Sequence, residues 1–468
     1  MSHLGPDLPE DIWKHIHSLM PLRDAARAAC VSRPFLSSWR RYPNLTLTLH
    51  SLGYFDFTKK VNSILKNHSG VGIKKLILEF VKCYDCNDII NHLDSWLKIT
   101  VTPQIEELTL ICPEWFPDDP EWFPDDPEWF PDDKCSSMLR YKFPCSLLSN
   151  GRGNSIQYLD LECCAFQSTA HLGPLGSLTR LHLCHVCMTE DELGCFLSSS
   201  LVLERLELID CYEIICLKIP GFLYHLSYLH VYGCGMLQDI ENKAQNLRTI
   251  YFGEFPALYS LGVSLRLGEL LHLNNIEMWC NDAACYARSE LPSIAPSLET
   301  LTMGSLCEMT NAPTAPSKFL HLKYLCIHLG GVSPAYDYFL LASFFDASPS
   351  LETFRLNLPQ ELMEHDWISG GSSDLRQMRR HCHHNLQRFE ITGFGSAKSL
   401  VELTCYILES TLSLKCVTLD TTLRGAFRCS DSKYKKCFSM PKGNIMEAQR
   451  RSWLSKNTLK QKFLLQLS

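Results

Sequence analysis

Two short stretches of the chain carry residue types that bind metal ions in proteins. Cys83 and Cys86 form a C-x-x-C pair, but no second pair stands at zinc-finger distance, and one pair is weak in a chain with 23 cysteines. The stretch 379–384, RRHCHH, is rich in histidine, yet it lies just before a predicted strand and is typical of a polar surface turn. The sequence therefore predicts no metal site and no cofactor.

Common catalytic signatures are absent from the sequence. It contains no G-x-x-x-x-G-K-[ST], G-x-S-x-G or H-E-x-x-H stretch, so the usual signals for phosphate binding, hydrolase nucleophiles and zinc proteases are missing. Histidines and carboxylates are plentiful, but no spacing pairs them as acid and base. We expect a non-catalytic protein. An enzyme with its site in a groove of the fold is the alternative, and a bound metal or cofactor would indicate it.

One phrase recurs along most of the chain: apolar, two variable, apolar, one variable, apolar. SIQYLDL, SLTRLHL, VLERLEL, HLSYLHV and NLRTIYF are clear copies, and GELLHLN is a weaker one. Between Ile156 and Leu247 the first apolar positions lie 22, 25, 23 and 21 residues apart, which is the period of a leucine-rich repeat. The clear copies have their first apolar residue at Ile73, Ile105, Ile156, Leu178, Leu203, Leu226, Leu247, Leu298, Leu322, Leu351, Leu386 and Leu414.

This repeat predicts an α/β fold, because each copy supplies one short strand whose two apolar residues point into a shared core. Stacked copies form a parallel sheet on the concave side of a curved solenoid, with helices and loops on the convex side. Cys164, Cys211 and Cys234 occupy the Asn/Cys slot that follows the strand. We therefore interpret these three thiols as structural.

The strand residues that point away from the core are the candidates for binding a target protein. Tyr, His, Asn and Arg side chains are a suitable composition for a protein interface. In the alternative, these positions are polar only because they face solvent. The candidates are His182, His230, Tyr232, Tyr251, His272, Asn274, His328, Arg355 and Asn357.

Residues 8–39 predict three short helices with apolar faces and no catalytic group. In the first, Ile12, Ile16 and Leu19 recur at helical spacing, and Pro21 ends the helix. The second begins near Asp24 and is rich in alanine. Ser32 is suited to cap the third. Three helices of this size bury too little surface to fold alone, so they must pack on another domain or a partner.

The spacing of these residues resembles that of an F-box. The resemblance implies a trihelical module that docks on the Skp-type adaptor of a cullin–RING ubiquitin ligase. Phe35, preceded by Pro34, stands where the family usually has Trp. Carried over by position, the adaptor-binding residues are Leu8, Pro9, Ile12, Ile16, Leu19, Pro21, Val31, Ser32 and Phe35.

Residues 385–448 resemble the C-terminal repeats of plant F-box/leucine-rich-repeat (FBD-like) proteins. The resemblance implies a helix over SAKSLVELTCYILES, between two strands. After Arg451 the chain continues as a basic amphipathic stretch that departs from the family pattern. The residues expected on the buried side of the helix are Leu400, Leu403, Tyr406, Ile407 and Leu408.

A threefold repeat of PEWFPDD at 113–133 interrupts the array. We interpret it as a tandem expansion in a tolerant loop, with an aromatic and acidic contact arm as the alternative. It carries nine acidic residues, so the net charge of −7 would be close to +2 without it. The charge therefore gives no support for nucleic-acid binding.

Several further features narrow the class of protein. The sequence has no run of eighteen apolar residues, the length that a membrane span needs. Its first residues lack the pattern of a signal peptide. Many cysteines without such a signal favour reduced thiols in the cytoplasm and/or nucleus.

Together these features predict an F-box at 1–43, a connector at 44–71, a repeat solenoid at 72–425 and a tail at 426–468. We expect the substrate-recognition subunit of an SCF-type (Skp–cullin–F-box) ligase. Its partners would be the Skp-type adaptor, cullin through that adaptor, and an unidentified target protein. The alternative is a repeat scaffold with a vestigial F-box and no ligase role.

Overall fold

A computed structural model describes the chain over most of the predicted domains. The predicted insert beyond Pro113, the tail, Leu8, Ser32, Cys83 and 379–381 lie outside the described residues. The described residues are 9–31, 33–69, 72–80, 86–113, 140–149, 151–166, 172–253, 263–305, 308, 318–330, 336–358, 376, 382–395 and 397–420.

The chain divides into two compact units, Met1–Leu226 and Ser227–Ser468. The helices of the first unit are α1 (Glu10–Ser18), α2 (Leu22–Val31), α3 (Arg33–Trp39), α4 (Leu49–Leu52), α5 (Phe57–Asn67), α6 (Cys86–Thr100) and α7 (Glu190–Ser199). Its strands are β1 (Asn44–Thr48), β2 (Lys75–Glu79), β3 (Glu107–Ile111), β4 (Tyr141–Phe143), β5 (Tyr158–Glu162), β6 (Cys164–Phe166), β7 (Arg180–Cys184), β8 (Arg205–Ile209) and β9 (Cys216–Ile219). Among the described residues, 3-10 turns at Cys145–Leu148 and Gly153–Ser155 precede β5.

The three N-terminal helices form where the sequence predicts them. Glu10 and Asp11 lie in the first turn of α1, where the helix dipole favours negative charge. Pro21 separates α1 from α2, which begins at Leu22, two residues before the predicted Asp24. His17 is buried, and its Nε2–H donates to the Ala25 carbonyl at 2.8 Å. The module therefore has a small core of its own.

Six parallel strands form the main sheet of the first unit, in the order β1-β2-β3-β5-β7-β8. The first of them, β1, lies in the stretch 44–71 that the sequence predicts as a connector. Asn44 pairs with Lys75 and Leu47 with Leu78, so this stretch contributes a strand to the repeat sheet. Its polar strand NLTLT follows the same in-and-out alternation as the repeats.

The described helices of the second unit are α8 (Ala283–Ser289), α9 (Leu291–Ile294), α10 (Ala342–Ala347) and α11 (Lys398–Ser410), and a 3-10 turn lies at Tyr338–Leu341. Its strands are β10 (Tyr228–Tyr232), β11 (Asp239–Asn242), β12 (Thr249–Gly253), β13 (Ser264–Arg266), β14 (Asn275–Trp279), β15 (Thr300–Ser305), β16 (Tyr324–Leu329), β17 (Thr353–Asn357), β18 (Arg388–Thr392) and β19 (Cys416–Asp420). Eight of them, β10, β12 and β14 to β19, form a parallel sheet in that order.

The repeat pattern predicts the core of both units correctly. The first apolar residue of every clear copy, from Ile73 to Leu414, is at most 3% exposed. Burial of each such side chain contributes about 1.5–3 kcal/mol to folding. Cys164 and Cys211 are fully buried and Cys234 nearly so, as expected for structural thiols. The predicted α/β fold, with helices followed by leucine-rich repeats, is confirmed.

The helix expected near the C-terminus is α11. Leu400, Leu403 and Ile407 are fully buried, and Leu408 is nearly so. Tyr406 is only half-buried, and its hydroxyl donates to Asp346 at 2.7 Å. The helix therefore buries the predicted side, with one tyrosine at its margin.

One repeat was assigned to the wrong register. The phrase GELLHLN does not contain the strand; β14 begins at Asn275, and Ile276 and Met278 are its buried residues. The true phrase is therefore LNNIEM, with Leu273 as the first apolar residue, and it lies 26 residues after Leu247. His272 and Asn274 precede the strand, so their prediction as outward strand residues is wrong.

Candidate functional site

The first candidate surface lies on the N-terminal module, where large apolar side chains face solvent. Val31 is 87% exposed, Leu19 is 72% exposed and Ile12 is 40% exposed. Pro9 and Pro21 are also exposed, and Ile16 is half-buried. A module this small does not need so many apolar residues outside its core, so these side chains suit a partner surface.

Phe35 occupies a different environment from the other predicted adaptor-binding residues. It is half-buried, and its ring contacts those of Trp13 and His17 at centroid distances of 5.0 and 5.1 Å. These contacts belong to the internal packing of the module. Phe35 thus holds α3 against α1, a role its place in the sequence does not reveal.

The module is attached to the repeat sheet of its unit by buried polar contacts. The Tyr42 hydroxyl donates to the Met20 carbonyl at 2.6 Å. His68, also buried, donates from Nε2 to the Tyr42 carbonyl at 2.9 Å. These bonds connect residues just after α1, just before β1 and just after α5, so the module is tied to the repeat sheet of its unit.

The second candidate surface is the outward side of the sheet in the first unit. Asp160, His182 and Glu207 occupy the central outward positions of β5, β7 and β8, and they are in register. His182 Nδ1 lies 2.7 Å from Glu207 Oε2. This hydrogen bond raises the pKa of His182 and is the main reason why the pKa of Glu207 falls to about 2. The sequence predicted His182 as an outward candidate for target binding, but it did not predict Asp160 or Glu207.

The outward side of the sheet in the second unit is aromatic. His230, Tyr232 and Tyr251 lie at outward strand positions, as predicted. Tyr228 joins them, with its ring centroid 5.5 Å from that of Tyr251. The centroid of the His230 ring lies 5.6 Å from that of Tyr251. These four rings form one cluster on β10 and β12.

Glycines next to this cluster leave space for the large rings of Tyr232 and Trp279, which are the last residues of β10 and β14. A Cβ on Gly253 would lie 2.6 Å from the Tyr232 ring, and one on Gly304 would clash with the Trp279 ring. The Trp279 ring in turn contacts the His328 ring in a tilted arrangement, at a centroid distance of 4.8 Å. Trp279 was missed because the register of β14 was misassigned; the LNNIEM phrase would have placed it.

The remaining predicted residues, His328, Arg355 and Asn357, lie on the neighbouring strands β16 and β17. Arg355 Nε lies 2.7 Å from Glu390 Oε2, and its guanidinium lies over the Tyr324 ring at 5.7 Å. Asn357 Nδ2 lies 3.4 Å from His328 Nε2. The structure therefore brings His328, Arg355 and Asn357 together on one face.

Burial of His328 predicts a pH-dependent contribution to stability. Burial lowers the pKa of His328 to about 4, whereas a histidine in the unfolded chain titrates near 6.5. Below that pH the unfolded chain binds a proton that the folded chain does not, so stability falls as the pH decreases. Between pH 7.5 and 5.5 we expect this residue to lower the free energy of unfolding by about 1 kcal/mol.

Urea unfolding of the wild type and of His328→Gln at both pH values measures this contribution. The variant should lose less stability than the wild type on acidification. His321→Gln, at an exposed position of the same repeat, is the control and should behave as the wild type. Equal pH dependence of the wild type and His328→Gln would contradict the assignment.

Within the described residues, no helix combines the length and apolarity needed to span a membrane.

Comparison with protein families gives two matches that together cover most of the chain. A model of the F-box domain matches residues 6–46, which include the three-helix module. A model described as "At1g61320/AtMIF1, LRR domain" matches residues 64–463. No curated protein shows a significant match. With exposed apolar residues on its helices, outward rings on its repeats and a family match over most of its length, the chain belongs to the plant F-box/leucine-rich-repeat proteins.

Proposed function

We propose that this protein is the substrate-recognition subunit of an SCF-type ubiquitin ligase. The observation that carries the proposal is the exposure of Ile12, Leu19 and Val31 on a module that matches the F-box family. F-box domains generally bind Skp-type adaptors, and burial of these side chains against an adaptor would remove apolar surface from water. Leu8, Pro9, Ile16, Pro21, Ser32 and Phe35 are proposed as further adaptor-binding residues.

We propose that the outward faces of the sheets bind the target protein. The ring cluster of the second unit supports this assignment, because tyrosine and tryptophan are enriched among residues that dominate binding energy. His182, His230, Tyr232, Tyr251, His328, Arg355 and Asn357 are the predicted contacts that lie on these faces. Trp279 and Tyr228 join them as candidates that the structure adds.

The proposed mechanism is proximity. The F-box holds the adaptor and, through it, the cullin, while the repeats hold the target. Tethering the target near a ubiquitin-carrying enzyme raises their effective concentration, and other subunits perform the chemistry. In this role the chain itself needs no nucleophile. We propose that it acts in the cytoplasm and/or nucleus, where the thiols of a chain with 23 cysteines stay reduced.

Reconstitution with purified components tests the proposal. The full chain should bind a Skp-type adaptor in isothermal titration calorimetry and co-elute with adaptor and cullin in size-exclusion chromatography. A second F-box protein of known adaptor binding serves as the positive control. If the control binds and this chain does not, the ligase role is wrong and the repeat scaffold with a vestigial F-box is the better interpretation.

A further inference from the structure

Three potential metal ligands converge on the outward side of the sheet in the first unit. Asp160 and Glu162 project from β5, and His182 projects from β7. One ligand atom of each lies within 4.8 Å of the other two. None belongs to the C-x-x-C pair or the histidine-rich stretch that the sequence offers. The parallel register, which sets Asp160 opposite His182, creates the group.

His182 is oriented as a ligand by a carboxylate behind it. Its Nδ1 lies 2.7 Å from Glu207, which leaves Nε2 facing Asp160 and Glu162, each at 4.0 Å. Glu207 is itself held by Arg205, whose Nε donates to Oε1 at 2.8 Å. Metal-binding histidines almost always donate their other ring N–H to such a partner, which fixes the tautomer and the ring orientation.

One carboxylate oxygen of Asp160 accepts hydrogen bonds, and the other accepts none from the described residues. Oδ2 accepts hydrogen bonds from the Tyr158 hydroxyl at 3.1 Å and the Thr109 hydroxyl at 3.3 Å. Oδ1 is buried in a residue only 8% exposed, and no described residue donates a hydrogen bond to it. A buried carboxylate oxygen without a hydrogen-bond donor is costly, and a cation at this point would offset that cost.

We propose that Asp160, Glu162 and His182 form a binding site for a divalent transition-metal ion of the zinc class. Imidazole nitrogen with carboxylate oxygens suits Zn²⁺, whereas Mg²⁺ and Ca²⁺ favour oxygen ligands alone. Tetrahedral bonds of about 2.1 Å place ligand atoms about 3.4 Å apart, so small side-chain rotations from 4.0 Å complete the site.

The three protein ligands leave a fourth coordination position on the outward side of the sheet. Water fills such a position in an isolated protein. The metal site does not depend on the proposed ligase function, since it rests only on side chains of the first unit. A chain that failed to bind an adaptor would still be expected to bind the ion.

Titration of the chelator-treated full chain with Zn²⁺ alone tests the site. Calorimetry should show one binding event that is lost, or weakened at least about 100-fold, in both Asp160→Asn and His182→Gln. Glu207→Gln, which leaves all three ligands in place, should weaken binding about 10–100-fold, because it alters the hydrogen bond that orients His182. His272→Gln, an exposed histidine outside the sheet face, is the matched control and should bind as the wild type.

Two readouts separate this site from zinc held by thiols. The stoichiometry of tightly bound zinc should fall by one per chain in Asp160→Asn, while circular dichroism stays unchanged. Co²⁺ bound at the same site should show visible d–d bands without a sulfur charge-transfer band, because no ligand is a thiolate. Equal zinc binding by the wild type, Asp160→Asn and His182→Gln would overturn the proposal. In that case His182 serves only as an imidazolium between carboxylates.

Discussion

The double variant Leu19→Asp/Val31→Asp is expected to lose adaptor binding by at least about 100-fold. Each wild-type side chain would bury apolar surface worth about 1.5–3 kcal/mol in the complex, and each aspartate would place a charge without a partner in the same contact. A 100-fold loss corresponds to about 2.7 kcal/mol, which is slightly less than the minimum of about 3 kcal/mol that the two lost apolar contacts give together.

The fold of the variant should be preserved, because both residues are largely exposed in the free protein. Surface substitutions away from special features usually change the free energy of unfolding by less than about 0.5 kcal/mol. Calorimetric titration with a Skp-type adaptor and thermal unfolding of the same samples measure the two effects separately.

Leu201→Asp is the matched control for this experiment. Leu201 is 56% exposed in a turn between α7 and β8, so this substitution also replaces a solvent-facing leucine by aspartate. It should leave both adaptor binding and unfolding unchanged. If the double variant binds as tightly as Leu201→Asp, the exposed residues of the module are not the adaptor contact.

The repeat fold could be predicted because its period forces a leucine or isoleucine to the same core position in each copy. Ile156, Leu178 and Leu203 have no accessible surface, as the spacing requires. The prediction was wrong at β14, where two apolar triplets, GELLHLN and LNNIEM, overlap in the sequence. Pairing of Ile250 with Ile276 selects the second, and this pairing is a property of neighbouring strands that one strand alone does not reveal.

The helical module shows a different limit of sequence patterns. An apolar residue at helical spacing faces either the module's own core or a partner, and the pattern is the same in both cases. Phe35 and Val31 both belong to the predicted adaptor set, yet Phe35 packs on Trp13 while Val31 is 87% exposed. The distinction depends on which helices contact each other.

The Asp160, Glu162 and His182 group shows why local motif searches miss a site on a repeat sheet. Zinc motifs are recognised by ligands a few residues apart in the chain. Here the ligands come from strands one repeat apart, and the parallel register brings them together. In a repeat protein, outward positions read across successive strands are therefore more informative than residues read along one strand.

Glu308→Ala is expected to destabilise the second unit by about 3–5 kcal/mol, since it removes one partner of a buried ion pair. The side chains of Arg288 and Glu308 are 4% and 0% exposed, and Arg288 Nη2 lies 3.8 Å from Glu308 Oε1. Glu308 also accepts a hydrogen bond from the Ala284 amide at 3.3 Å, which connects it to the start of α8. Urea unfolding and hydrogen exchange of the α8 amides measure the loss.

The pair Lys323–Glu299 is the matched control, because it differs from Arg288–Glu308 in burial. Its N–O distance of 3.0 Å is shorter, but both of its side chains are about half exposed. Glu299→Ala should cost less than about 1 kcal/mol, since solvent screens such pairs. A double variant, Arg288→Met/Glu308→Leu, should recover most of the stability, because a buried charge without its partner causes the loss, and apolar residues remove that charge. Equal costs for Glu308→Ala and Glu299→Ala would contradict the prediction that burial makes the Arg288–Glu308 pair the more costly one to break. A double variant as unstable as Glu308→Ala would instead assign the loss to the hydrogen bond with Ala284.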